Sequence, residues 1–105
     1  MNYIITTNNL IVGGEKKMEI TVDALFAEIC GHDCHVDVEY PQGMIISADM
    51  DNVQEVPGNM LIADNVTIAI EWEKSSIVRD NEKEFCIHLA NDGRILITLL
   101  DIITI

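Results

Sequence analysis

The stretch Phe85-Cys86-Ile87-His88-Leu89-Ala90-Asn91-Asp92-Gly93-Arg94-Ile95-Leu96-Ile97-Thr98-Leu99 decides the fold. On either side of Asn91-Asp92-Gly93 the residues follow the period of two that marks strands, around a turn signal. With Asn91-Asp92-Gly93 as a three-residue loop and Gly93 at the left-handed bulge position, Ala90 lies opposite Arg94. Phe85, Ile87 and Leu89 then share a face with Ile95, Ile97 and Leu99. A two-residue Asp92-Gly93 turn would put Phe85 and Leu89 on a different face from Ile95 and Ile97, so the longer loop is expected. The run onward through Leu100, Ile102, Ile103 and Ile105 is apolar on both faces. It predicts a central strand covered on one side by a helix, or a strand whose second face meets another chain, giving a homodimer through the C-terminal strand.

Working outward, Val22, Leu25, Phe26 and Ile29 fall at i, i+3, i+4 and i+7, the stripe of one amphipathic helix placed at about 22–30. Thr21 is its N-cap, Asp23 suits the dipole of its first turn, and Gly31 is its stop. After it Val36, Val38 and Tyr40 alternate with His35, Asp37 and Glu39; Pro41-Gln42-Gly43 turns the chain and Met44 to Met50 returns as a strand. A loop runs from Asp51 to Asn59. Met60 to Ala63, an Asp64-Asn65 turn and Val66 to Glu73 form a further hairpin, with Val66, Ile68, Ile70 and Trp72 on one face. At the N-terminus Asn2 to Thr7 and Leu10 to Val12 read as short strands, broken by Gly13-Gly14. No repeat or linker divides the chain. The expected class is α+β: a single domain over 1–105 with an antiparallel-rich sheet of about five to seven strands and one short helix packed on it.

The 105 residues include 18 Asp and Glu against 6 Lys and Arg, a net charge of −12, with 49% hydrophobic and 5% aromatic residues. Such an apolar content, with only 23% charged residues, argues against intrinsic disorder despite that charge. The acidic balance argues against direct binding to nucleic acid or to an anionic membrane, and no run is long enough to span one. Three cysteines and an N-terminus without a secretory pattern predict a cytoplasmic protein. The charge is unevenly placed. Between Met18 and Glu73 lie twelve acids and no Lys or Arg, the whole of the net charge; the rest of the chain balances six acids against six bases.

Within that tract Asp37/Glu39, Asp49/Asp51 and Glu71/Glu73 stand two residues apart, as do Glu82/Glu84 beyond it. On a strand such residues point to one side, roughly 6.6–6.8 Å apart, the order of the phosphate spacing along a nucleic-acid backbone. Like charges so placed weaken a sheet slightly. The expectation is a phosphate-mimicking surface made of Asp37, Glu39, Asp49, Asp51, Glu55, Glu71 and Glu73, which a groove lined with Lys and Arg would accept in place of nucleic acid.

The cysteines and histidines fall in two windows, Cys30-Gly31-His32-Asp33-Cys34-His35 and Cys86-Ile87-His88. Cys30, Cys34 (or His35), Cys86 and His88 are the four side chains a tetrahedral zinc would need, although their spacing matches no standard finger or ribbon. Neither a bound metal nor another cofactor is expected. Cys34 and His35 point to opposite sides of a strand and cannot act as a nucleophile–base pair, and no GxGxxG, P-loop or GxSxG is present, so an enzyme is not expected.

A small, acidic, isoleucine-rich α+β domain with a one-sign tract and no catalytic motif resembles the phage-borne anti-CRISPR inhibitors and other DNA-mimic proteins. The resemblance lies in size, charge and architecture, and no residue carries over by motif. It implies a non-catalytic inhibitor whose acidic surface blocks the nucleic-acid channel of a basic partner, such as a CRISPR effector nuclease of the Cas9 type. Two alternatives stay open: an immunity or antitoxin-like protein that neutralises a basic toxin or enzyme, and a small Cys/His metal-binding module.

Overall fold

A computed structural model describes residues 18–100. The expected N-terminal strands and the apolar end at Ile102 to Ile105 lie outside the described residues. The chain order is β1 (Met18–Ile20), α1 (Val22–Ile29), β2 (Cys34–Glu39), β3 (Ile45–Met50), β4 (Met60–Ile62), β5 (Thr67–Ala69), a 3-10 turn (Trp72–Lys74), β6 (Ser76–Arg79), β7 (Glu84–His88) and β8 (Arg94–Leu99). Six strands form one antiparallel sheet in the order β1-β6-β7-β8-β2-β3, while β4 and β5 pair with each other alone. The class is α+β, an antiparallel sheet with one helix, as the periodicity predicts.

The helix begins where Thr21 accepts a hydrogen bond from the Ala24 amide. It ends in a type II turn: Cys30 is extended, Gly31 has φ +83°, and the His32 amide donates to the Ile29 carbonyl. Leu25, Phe26 and Ile29 are buried, as the stripe requires. They meet Val36, Met50, Phe85, Ile87, Ile95, Ile97 and Leu99 from one face of the sheet, together with Leu61, Ala63 and Ile70 from the β4–β5 hairpin and its flanks. Helix and hairpin therefore cover the same face. No polar or charged side chain among the described residues is fully buried, so the core rests on apolar burial, about 1.5–3 kcal/mol for each fully buried large side chain.

Two expectations change in detail. In the β7–β8 hairpin His88, not Ala90, lies opposite Arg94, and Leu89 pairs with Gly93 through Leu89 N–H to Gly93 C=O. The loop is Ala90-Asn91-Asp92, and Asp92 takes the left-handed position at φ 68°. A slip of two residues keeps every side chain on its face, so the predicted core face survives. Gly93 is required for another reason: a Cβ there would lie 2.9 Å from the Glu39 carbonyl oxygen of the neighbouring strand. Second, the strand expected to run from Val66 to Glu73 stops at Ala69. The chain then turns so that Trp72 packs edge-on against Phe26, ring centroids 5.8 Å apart, and donates its indole N–H to the Gly58 carbonyl. β8 itself has a neighbour on each side and the helix over its core face, the first of the two arrangements expected for this apolar strand. No helix among the described residues is long and apolar enough to cross a membrane.

Candidate acidic interface

Residues directly opposite on paired strands share a face, so the register assigns every side chain of the sheet. The face turned away from the core carries His35, Asp37 and Glu39 of β2 and Ile45, Ser47 and Asp49 of β3. It also carries Arg94, Leu96 and Thr98 of β8 and Glu84, Cys86 and His88 of β7. Across the strands one row reads Asp49–His35–Thr98–Glu84 and the next Ser47–Asp37–Leu96–Cys86. The second row continues through Val78 to Glu19 on β1. This face thus presents Glu19, Asp37, Glu39, Asp49 and Glu84 around a single arginine.

His35 stands between two of these acids. Its Nδ1 lies 2.7 Å from Asp49 Oδ1 and its Nε2 3.1 Å from Asp37 Oδ1, while the Ser47 hydroxyl donates to the same Asp37 oxygen. The hydrogen bond to Asp49, reinforced by the charge of Asp37, raises the His35 pKa above its ordinary value. The Ser47 hydroxyl bond, with His35 second, holds the Asp37 carboxyl below the usual range. Serine is bonded to carboxylate and not to imidazole, which is not the order of a Ser-His-Asp triad; the imidazole instead bridges the two carboxylates of Asp37 and Asp49. Glu39 is held by Arg94, with Nε 2.6 Å from Oε1.

At the Met50 end of β3 the acidic run continues into a braced loop. Asp51 lies just past the strand; its amide donates to Asn65 Oδ1 and its carbonyl accepts from the Asp64 amide. Asp64 accepts from the side-chain amides of Gln54 and Asn52, and Asn65 Nδ2 donates to the Asp49 carbonyl. The side-chain partners of Asp64 are neutral amides, which fix its carboxylate without cancelling the charge, while Asp51 is pinned through its backbone. Neither Lys nor Arg forms an ion pair with Asp37, Asp49, Asp51 or Asp64 among the described residues.

Of the seven expected surface acids, the fold brings together Asp37, Glu39, Asp49 and Asp51. The other three belong to the layer that covers the core. Glu55 lines a hollow of about 430 Å³ with Asp23, Phe26, Pro57 and Trp72. Glu71 precedes the 3-10 turn with Lys74 Nζ 3.6 Å from its carboxylate, and Glu73 sits within that turn, off any strand. Glu71 and Glu73 therefore lose the strand spacing assumed for them. Sequence reasoning missed Asp64, read only as a turn residue, and missed His35 and Ser47 as the groups that position Asp37 and Asp49. For His35 and Ser47 a signal existed: both alternate in phase with the acids on their strands.

The four candidate zinc ligands do not converge. Cys34 is buried on the core face and Cys86 sits on the opposite face, so the sheet lies between them; Cys30 is exposed at the helix exit and His88 on the outer face. Among the described residues no group of three or more His, Cys, Asp or Glu side chains could hold a metal ion. No family model, curated protein or solved structure matches the chain.

Proposed function

We propose that the chain is a non-catalytic inhibitor that docks the Asp37–Asp49–Asp51 end of its sheet, with Asp64 of the abutting β4–β5 turn, into the basic nucleic-acid channel of a partner, such as a bacterial defence nuclease. The observation that carries the reading is the manner in which these carboxylates are held. Imidazole, hydroxyl and side-chain amide groups fix Asp37, Asp49 and Asp64, the backbone of Asp51 is pinned beside them, and among the described residues no lysine or arginine forms an ion pair with any of the four. Carboxylates already held in position need little rearrangement when they meet guanidinium groups, and the net negative charge of this end speeds encounter at low salt. Glu39 is already engaged by Arg94, which puts it at the margin of such a contact.

The test is affinity capture from a bacterial lysate, with the protein and a quadruple variant Asp37→Asn, Asp49→Asn, Asp51→Asn, Asp64→Asn as baits. The expected result is a basic nucleic-acid-binding protein retained by the parent chain, released by competing duplex DNA or by raised salt, and absent from the variant. Equal retention by both baits, or a retained protein that duplex DNA does not displace, overturns the reading.

A further inference from the structure

Among the described residues β3 is the last strand of the main sheet. The Tyr40 amide donates to the Met44 carbonyl across the turn, and antiparallel bonding alternates from there, so Ile46, Ala48 and Met50 spend their amides on β2. The outward-pointing N–H and C=O groups of the free edge are those of Ile45, Ser47 and Asp49. Protein edges are normally blunted by a charge, a proline or a bulge; here nothing charged occurs from Tyr40 to Ala48. Met44, Ile45 and Ile46 are 55%, 59% and 50% exposed. Beside them an apolar groove of about 480 Å³ opens between the sheet and the β4–β5 hairpin, lined by Val38, Tyr40, Ile46, Ala48, Ile68 and Leu89.

We infer that this edge pairs with β3 of a second copy, antiparallel across a twofold axis, so that two sheets become one. Charge selects the occupant. Along the strand itself no carboxylate occurs before Asp49, and Asp37 and Glu39 of the neighbouring strand are already engaged by Ser47, His35 and Arg94, so two chains that each carry −12 meet least repulsion along this strip. A register with Ile46 opposite Ile46 of the second copy sets Ile45 against Ser47, Met44 against Ala48 and Gly43 against Asp49. No acid then faces an acid, side chains keep their faces, and the outward amides of Ile45 and Ser47 bond each other. The seam is smaller than the roughly 800 Å² per partner of a standard interface, so the dimer is weak.

Sedimentation equilibrium of the full chain tests this. The expected result is a monomer–dimer equilibrium between about 10 μM and 1 mM that strengthens as salt is raised, because screening relieves the repulsion between copies. That sign is opposite to the salt-weakened binding of the acidic end, so the two readings fail separately. Ile46→Glu, which sets like charges against each other at the axis, and Ile45→Pro, which deletes an outward donor, should each leave a monomer at every concentration, with thermal melting confirming that both remain folded. A parent chain that stays monomeric throughout, leaving the edge to a strand of another protein, overturns the inference. So does a dimer that survives both substitutions in folded protein.

Discussion

The β2–β3 and β7–β8 hairpins are built on the same turn and meet different fates. In each, a three-residue loop closes with one amide-to-carbonyl bond across its base, Tyr40 to Met44 and Leu89 to Gly93, and a second inside it, Gly43 to Tyr40 and Asp92 to Leu89. The third loop residue is left-handed in both: Gly43 at φ 98° and Asp92 at φ 68°. The first hairpin lies at the rim of the sheet with its tip in solvent. The second is enclosed, β7 between β6 and β8, and β8 between β7 and β2. The comparison teaches that turn geometry alone does not say where glycine is indispensable. At the rim, glycine serves the left-handed angle; in the middle, aspartate tolerates that angle and glycine is reserved for the place where two backbones nearly touch.

The sharpest contrast is in side-chain burial. Ile87 of β7 is fully buried, while Ile45 of β3 is 59% exposed. Ile87→Ala should cost about 2–5 kcal/mol in chemical denaturation, and Ile45→Ala within about 0.5 kcal/mol. Comparable losses would mean that the rim is as well packed as the centre.

A smaller effect separates the glycines. Gly93→Ala would push a Cβ to 2.9 Å from the Glu39 carbonyl oxygen, which is backbone and cannot swing aside, so a loss of about 2–3 kcal/mol is expected. Gly43→Ala meets nothing within 4 Å and bears only its positive φ, about 1–2 kcal/mol. Thermal melts that rank the two in the opposite order would break the distinction between close approach and conformational strain.

The smallest effect is confined to the rim hairpin. His35, with its pKa raised, adds stability that is complete below its unfolded value of 6.5 and is lost as pH rises through the folded value. Asp37, with its pKa lowered, adds stability above its unfolded value of 3.8 that is lost as pH falls through the folded one. The bridge is therefore strongest between these limits. The gap between the parent chain and His35→Gln should peak near about pH 5–6, shrink by pH 8.5, and stay below ~1 kcal/mol because the pair is partly exposed. A gap that widens toward alkaline pH would remove the imidazolium from the account.

These differences also explain what the sequence let one read. Alternation in Val36 and Val38, and in Phe85, Ile87, Ile95 and Ile97, placed the core face, and the same rule put Asp37, Glu39 and Asp49 together on the other side. The stripe from Val22 to Ile29 located the helix to within a residue. β6 was hidden because Arg79 occupies a core-face position at the end of the sheet, lying 5.4 Å over the Phe85 ring and reaching Glu28 at 3.1 Å. A charged residue there breaks the alternation that marks strands. The Glu39–Arg94 pair joins residues 55 apart, and only the adjacency of β2 and β8 reveals it. Glu71 and Glu73 were misplaced for a related reason: the alternation continues to Glu73, but the chain leaves the strand at Ala69; Glu55 lay in a loop, where alternation does not say which side a residue takes.

Trp72 is the chain's one tryptophan, and it leans on Phe26 in the layer that covers the core face. Its emission is accordingly a natural gauge of whether helix and sheet stay packed together, with no label added. A melt followed through the indole therefore reads the loss of that layer directly.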